Sequence, residues 1–496
     1  MRKLAEILRV SVAISTFAGV SIGIVGCGGG SSTPPPTPTP TPSQVFPNDQ
    51  SSAQSAPIKL GTSGGNANDL GTKVCCIGTL GSLWIKTGVT NPVILSNNHV
   101  LDRSGSGAAG EAINQPLQVA CTAPTAPAPL IVAHLSQGTG LKPVANEPTE
   151  PCASDTKKAA LCGHAPSNVD AAIAEIATGQ VDLSGNILDL GPAGATSIAA
   201  APPSSTIGTP ALGEAVGKSG RTTGLTCSTI QSLGTRVLIN YDANCGDTTP
   251  AFTSYFNDQI VISGGSFSAG GDSGSLVVDT ATARAVGLLY GGDDVSTVAN
   301  PIQDVIAAFG GNAAFTIVGA GDHAISCAKQ ATANGTQVGT AQSVLVPEER
   351  QRVSAVHKAR SRSLVRDFGI RSVEIGPSAD DPKEGALILH VSGKSVPAVP
   401  AVIDGVRTRL VFDDPNMQTS TISAQQVNQA MAVKDAHVFE YLGKGIQGVG
   451  ISISADNPAE TAISIYVIRG AAHPPIPPVI DGVRTRVIEG TQFKAY

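Results

Sequence analysis

The sequence predicts a multidomain chain, with a long all-β part followed by two repeated α+β modules. Three observations carry this expectation. The 496 residues include 56 Gly and 34 Pro with only 14% charged residues, a mix that suits short strands separated by turns. From about residue 58 to 318 short apolar runs recur, as in LGSLWIKTG, PVILSNNHVL, RVLINYDANC, DQIVISGG, GSLVVDTAT and AVGLLYGG. Many short strands punctuated by Gly, Asn, Asp and Pro indicate a sandwich or barrel. Beyond about residue 347 the composition changes and the chain repeats itself.

Residues 1–26 read as a targeting segment. MRKLAEILR carries positive charge, VSVAISTFAGVSIGIVG is apolar but short and rich in small residues, and Cys27 follows. Ile24-Val25-Gly26-Cys27 resembles the lipobox of bacterial lipoproteins. That resemblance implies cleavage before Cys27, lipidation of its sulfur and anchoring of an exported protein at the cell envelope. Gly28 stands where an Asp would signal inner-membrane retention, so the implied destination is the outer membrane or cell surface. Residues 27–57 contain GGGSSTPPPTPTPTPSQ, a Pro/Thr-rich stretch that favours polyproline II over a packed core and reads as a disordered tether.

Nine cysteines are present, and setting aside Cys27 leaves an even number, as expected of an exported, disulfide-bonded chain. Local spacing suggests Cys152–Cys162 and Cys227–Cys245, although the count leaves about 105 pairings open. A zinc site competes for these residues, but no CxxC pair or HExxH occurs and the histidines are scattered. No cofactor is expected. The net charge of −6 gives no sign of nucleic-acid binding, and the basic run from Arg352 to Arg366 reads as a solvated helix face. Residues 122–167, rich in Ala, Pro and Thr, read as an inserted loop.

The modules are expected at 347–418 and 419–496, after a linker at 319–346. PEERQRVSAVHKARSRSLVRDF and ISAQQVNQAMAVKDAHVFEYL read as helices, and GALILHVS and TAISIYVI as strands. The octapeptide Val402–Arg409 recurs unchanged as Val479–Arg486, and Gly369-Ile370 recurs as Gly445-Ile446. The Asp404-Gly405 and Asp481-Gly482 pairs are two-residue hairpin signals. Two units are too few for a solenoid. The modules carry no catalytic motif. They are expected to pack as a pseudo-symmetric pair, to present substrate, to dock a protein partner or to cover a cleft.

The chemistry lies earlier in the chain. A serine hydroxyl attacks a carbonyl only when a base takes its proton, usually a histidine oriented by a buried carboxylate. His99 follows the apolar run of PVILSNNHVL, where a cleft residue would stand. Asp170 opens the apolar stretch of NVDAAIAEI; it suits a partner of a histidine N–H and equally a helix N-cap or turn. Ser273 lies in FSAGGDSGSLVVD, between glycines and before a strand. Gly-Asp-Ser-Gly alone also suits a surface turn. The backbone N–H groups of Gly271 and Ser273 are placed to form an oxyanion hole.

SNNHVL, NVDAAIAEI, AGGDSGSL and AVGLLYGG, in this order, resemble trypsin-like serine proteases of the chymotrypsin fold over residues 58–318. GRTTGLT at 220–226 and ANPIQDVIAAFG at 299–310 are similar to the bacterial and plant subgroup related to the narrow-leaf protease. The resemblance implies an all-β double barrel with His99 as general base, Asp170 orienting it and Ser273 as nucleophile. The implied function is a secreted, membrane-anchored serine endopeptidase acting on a protein or peptide. A non-catalytic binding protein on the same fold is the alternative. The chain departs from the family in having Asn-Asn-His-Val around the histidine, Gly-Ser after the nucleophile and no Ile-Val-Gly-Gly activation terminus. Asp272 therefore needs another partner. By family position Phe267 lines the base of the primary pocket and Tyr290, Gly291 and Gly292 form its strand wall. An apolar or small side chain is then expected before the cleaved bond, unless Asp293 or Asp294 restores a basic preference.

Overall fold

The computed structural model describes residues 50–69, 77–116, 129–141, 143–144, 169–194, 197–242, 250–327, 345–392, 396–413 and 422–496. The targeting segment, Cys27, Cys152, Cys162 and most of the 122–167 stretch lie outside the described residues.

The first barrel is built from β1 (Thr62–Asn66), β2 (Gly78–Leu80), β3 (Ser82–Lys86), β4 (Val93–Ser96), β5 (Ala112–Gln115), β6 (Leu130–Gly138) and β8 (Ala172–Ile176), with β7 (Pro143–Val144) on the second sheet. β2 and β3 run on through Gly81, so the path β3-β4-β8-β6-β5-β1-β2 curls back on itself. Leu83, Val93, Ile94, Leu95, Ile113 and Ile173 are buried in its core. Trp84, the only tryptophan in the sequence, stacks on Phe315 with centroids 4.5 Å apart.

The second barrel contains β9 (Ala215–Gly220), β10 (Gly224–Asp242), β11 (Pro250–Ser263), β12 (Leu276–Asp279), β13 (Ala285–Gly292) and β14 (Ser296–Pro301). These pair as β10-β9-β12-β13-β14-β11, and β11 pairs with β10 to close the ring. β15 (Phe315–Ile317) returns to pair with β3 of the first barrel.

Gln50, within the expected tether, is buried; its side-chain amide donates to Asp189 at 2.8 Å and Ser219 at 3.0 Å. Its carbonyl accepts the Ser63 N–H at 2.7 Å. These hydrogen bonds dock Gln50 on the barrels. The expected Cys227–Cys245 pairing is corrected: Cys227 is bonded to Cys327, with Cα atoms 5.8 Å apart. Cys227 stands near the start of β10, which runs on to Asp242. A strand rising about 3.3 Å per residue carries the chain tens of ångströms from Cys227, whereas a disulfide needs Cα atoms within about 7 Å.

The C-terminal part begins with α3 (Pro347–Phe368), followed by β16 (Ser372–Pro377), β17 (Gly385–Val391), β18 (Val402–Ile403) and β19 (Val406–Phe412). Next come α4 (Ala424–Tyr441), β20 (Ile446–Ile453), β21 (Thr461–Ile468), β22 (Val479–Ile480), β23 (Val483–Gly490) and β24 (Lys494–Ala495). Two short helices, α1 (Asn98–Leu101) and α2 (Ile302–Ala308), precede them in the chain. β17 and β19 pair in parallel, as do β21 and β23. Both Asp-Gly pairs have positive φ at both residues, at 47° and 80° for Asp404-Gly405 and 44° and 83° for Asp481-Gly482. That conformation is what a two-residue primed turn demands. Hydrogen bonds between the halves are reciprocal: Ala379 N–H donates to Asp456 and Ala455 N–H donates to Asp380, each at 2.6 Å. β20 pairs with β10, so this part of the chain extends the sheet of the second barrel.

Candidate active site

His99 lies in the single turn of α1 that follows β4. Asp170 stands just before β8, which pairs with β4. Neighbouring strands thus deliver the imidazole and the carboxylate side by side. His99 Nδ1 is 2.6 Å from Asp170 Oδ2, and the His99 backbone N–H donates to Oδ1 at 3.2 Å. Asp170 is fully buried. A buried carboxylate is tolerated only when its lone pairs are taken, and the second barrel takes them. The Tyr241 hydroxyl donates to Oδ2 at 2.8 Å. Asn300 brackets the Asp170 peptide, accepting its N–H at 2.9 Å and donating to its carbonyl at 3.1 Å. Asn97 donates to the same carbonyl at 2.7 Å.

Ser273 sits before β12 in a loop that requires glycine. Gly271 has φ +97° and Gly274 φ +94°, and a Cβ on Gly274 would stand 2.0 Å from Ser96 Oγ. Thr79 of the first barrel ties the loop down: its N–H donates to the Ser273 carbonyl at 2.7 Å and its hydroxyl to the Gly271 carbonyl at 2.9 Å. Among the described residues no acceptor takes the Gly271 or Ser273 N–H. Asp272 turns away from the cleft into a fully buried pair with Lys218, at 3.4 Å. It also accepts from Thr222 N–H at 2.8 Å, Thr223 N–H at 3.2 Å, the Thr223 hydroxyl at 2.8 Å and Ala269 N–H at 3.0 Å. Lys218 thus supplies the partner expected for Asp272. Burial lowers the Lys218 pKa, and the Asp272 charge only partly offsets this.

The structure joins His99 to Asp170 directly but does not hydrogen-bond Ser273 to His99. The Ser273 hydroxyl donates to the Tyr290 carbonyl at 3.0 Å. His99 Nε2 instead lies 3.1 Å from the backbone oxygen of Tyr496, whose N–H donates to the same Tyr290 carbonyl at 3.2 Å. Tyr496 therefore links His99 to the Tyr290 carbonyl that also accepts the Ser273 hydroxyl. Because Nδ1–H points at Asp170, the Nε2 contact with an oxygen is a hydrogen bond only if the ring is doubly protonated. The pKa of His99 agrees: burial would lower it, but the Asp170 charge and hydrogen bond, the Tyr496 oxygen and the Asp69 charge hold it above the ordinary histidine value.

Phe267 is buried in a cluster with Val216, Ile230, Ile262, Val277 and Leu289, and Tyr496 packs against that cluster. Tyr290 contributes its carbonyl, while its ring is buried against Phe256, 4.9 Å between centroids. Gly291 and Gly292 lie opposite Ala495 and Lys494 in an antiparallel pairing. Both acids are engaged within the fold. Asp293 accepts from the backbone of Val295 and Ser296 at 2.9 and 2.7 Å, and Asp294 pairs with Arg469 at 2.7 Å. Burial raises the Asp293 pKa to about 6.

Four residues of the site, Lys218, Tyr241, Asn300 and Tyr496, were not foreseen from sequence. Tyr241 had a visible signal, since a tyrosine near the end of an apolar strand needs a partner for its hydroxyl.

No family model and no curated protein matches the chain. Solved structures similar to it include a glutamic acid specific serine protease using a histidine triad in substrate binding, at 17% identity and TM-score 0.32, spanning 52% of this chain and 100% of that one. Thermobifida fusca Protease A matches at 15% identity and TM-score 0.31, over 53% of this chain and 98% of its own. Nocardiopsis protease matches at 14% identity and TM-score 0.32, over 52% and 98%. Each of these similar structures is a protease, and each likeness covers about half of this chain.

Proposed function

We propose that the chain is a serine endopeptidase carrying a chymotrypsin-type double barrel of the narrow-leaf-related subgroup. The observation that supports it most is the buried His99–Asp170 pair at 2.6 Å, secured by Tyr241. Asp170 holds Nδ1–H and leaves Nε2 to accept a proton. In the reaction, Ser273 Oγ attacks the peptide carbonyl as its proton passes to His99 Nε2. The oxygen that becomes anionic faces the N–H groups of Gly271 and Ser273. Collapse breaks the C–N bond, the leaving amine takes the proton from His99, and an ester on Ser273 remains. Water then attacks the ester, giving its proton to His99, and the acid product departs as Ser273 is reprotonated. No cofactor is needed. The substrate is a protein or peptide.

The same reading places Cys27 as a lipidated residue behind a signal peptide at 1–26, anchoring the protein at the cell envelope. The two α+β modules at 347–418 and 419–496 serve as a platform for a protein partner. A fluorophosphonate probe tests the enzyme: labelling that disappears in Ser273→Ala and falls at least a hundredfold in His99→Ala is expected. A folded protein that stays unlabelled both as wild type and with Tyr496 substituted identifies a non-catalytic binding protein instead. For the anchor, detergent-phase partitioning is expected to vanish in Cys27→Ser.

A further inference from the structure

The residues that reach the site last in the chain carry information that the triad does not. Lys494 and Ala495 pair antiparallel with Gly292 and Gly291 of β13, adding a short strand to that edge. Tyr496 continues it, its N–H on the Tyr290 carbonyl and its own backbone oxygen at His99 Nε2. An extended peptide paired to a sheet edge, with side chains alternately entering pockets, is how strand addition positions a peptide ligand. Here that strand brings a backbone oxygen to His99 Nε2 and an N–H to the Tyr290 carbonyl, which also accepts the Ser273 hydroxyl.

The Tyr496 ring shows what the pocket takes. It packs on the apolar cluster around Phe267, and its hydroxyl donates to the Asp293 carbonyl at 3.2 Å. Burial, partly offset by a hydrogen bond from Ser268, raises the phenol pKa to about 12, so it enters as the neutral donor. A Cβ on Gly292 would lie 2.3 Å from the Ser296 carbonyl and 2.6 Å from the Tyr496 hydroxyl, so the glycine gives room to both the β14 pairing and the phenol. A Cβ on Gly291 would lie 2.5 Å from the Lys494 carbonyl. Upstream, buried Phe493 fixes the strand, its N–H donating to Gln447 at 2.6 Å and its carbonyl accepting from Asn240 at 3.1 Å.

We propose that Lys494–Tyr496 is a built-in occupant of the acyl side of the substrate groove, and that the pocket it fills selects tyrosine as the residue whose carbonyl is attacked. The proposal rests on the endopeptidase reading. It narrows the apolar or small preference expected from Phe267, since the pocket gives a phenol both an apolar wall and a carbonyl acceptor. A lysine or glutamate side chain would have to bury its charge against the apolar cluster around Phe267.

The test uses the full chain in wild-type, Tyr496→Gly, Tyr496→Phe and Gly292→Val forms. Replacing the occupant with glycine is expected to raise the rate of fluorophosphonate labelling at Ser273 at least tenfold, whereas phenylalanine keeps it near wild type. The peptide Gln-Phe-Lys-Ala-Tyr is expected to slow labelling of Tyr496→Gly, and Gln-Phe-Lys-Ala-Lys to leave it unchanged. On a peptide series differing only before the cleaved bond, Tyr is expected to exceed Lys and Glu at least a hundredfold in kcat/KM. In Gly292→Val the preference moves from Tyr to Ala. Labelling at equal rates in all forms, or cleavage indifferent to Tyr, overturns this proposal and leaves the endopeptidase intact. Absence of labelling in every form overturns the endopeptidase reading instead.

Discussion

Lys218→Met removes the cation beneath the nucleophile loop while keeping the length of the side chain. At 3.4 Å, and with an effective dielectric near 20, the lost attraction is about 5 kcal/mol, opposed by the cost of burying both ions. Removing one member of a buried pair typically costs about 3–5 kcal/mol, because the other charge is stranded. Asp272 keeps its four hydrogen-bond donors, so the lower end applies: about 3 kcal/mol, roughly a hundredfold in the folding equilibrium. Asp272 lies between the two N–H groups assigned to the oxyanion hole. A carboxylate that swings towards water disturbs both, and loss of one such donor lowers kcat by about 10²–10³. Urea unfolding followed by circular dichroism and by Trp84 fluorescence measures the stability, and peptide hydrolysis measures the rate. The double variant Lys218→Met/Asp272→Asn, with the stranded charge gone, is expected to recover about 1–2 kcal/mol of the loss. A Lys218→Met protein within about 1 kcal/mol of wild type, or a double variant as poor as the two losses added, refutes the idea that this pair holds the loop.

Tyr241→Phe removes one of the two side-chain donors on Asp170 Oδ2 and is expected to lower kcat/KM by about ten- to a hundredfold, the worth of one charge-assisted hydrogen bond; an unchanged kcat/KM refutes the clamp. The pH profile carries a sign of its own. Because the folded pKa of His99 is raised, its contribution to stability is complete below the unfolded value of about 6.5 and is lost as pH rises through the folded value. Activity needs the neutral ring, so the acid limb is expected above about 6.5, and in Tyr496→Gly, which weakens the Nε2 contact, it moves down. Cys227–Cys327 closes a loop of sequence separation 100, and Cys327→Ser is expected to cost about 2–5 kcal/mol in urea unfolding.

Which parts were legible follows from how far each residue's partner lies along the chain. His99 and Asp170 announce themselves by what flanks them, an apolar strand on one side and small polar residues on the other. The barrel strands read out for the same reason, through local runs and turn residues. Tyr241, Asn300 and Lys218 gain their roles from pairings that only the closed barrels create, as when β10 brings its far end to the acid of the other barrel. The Cys227 partner was misjudged on the same ground, since sequence proximity ignores a long extended strand. Phe267 was placed by family position, and the structure sets it in the cluster under the Tyr496 ring. The Asp404-Gly405 and Asp481-Gly482 turns were legible because their conformation is dictated by the two residues themselves.

The pairing of β24 with β13 and β10 has a colloidal consequence. A groove that binds extended peptides is by construction a strand edge with unpaired N–H and C=O groups, and such edges recruit other chains. Here Lys494 and Ala495 satisfy that edge from within the molecule, with Lys494 exposed on the covering strand. Substitutions that loosen the occupant therefore open the cleft and at the same time uncover an adhesive edge. Light scattering of Tyr496→Gly is expected to show concentration-dependent self-association, so that the protein's shelf life in solution and its access to substrate pull against each other.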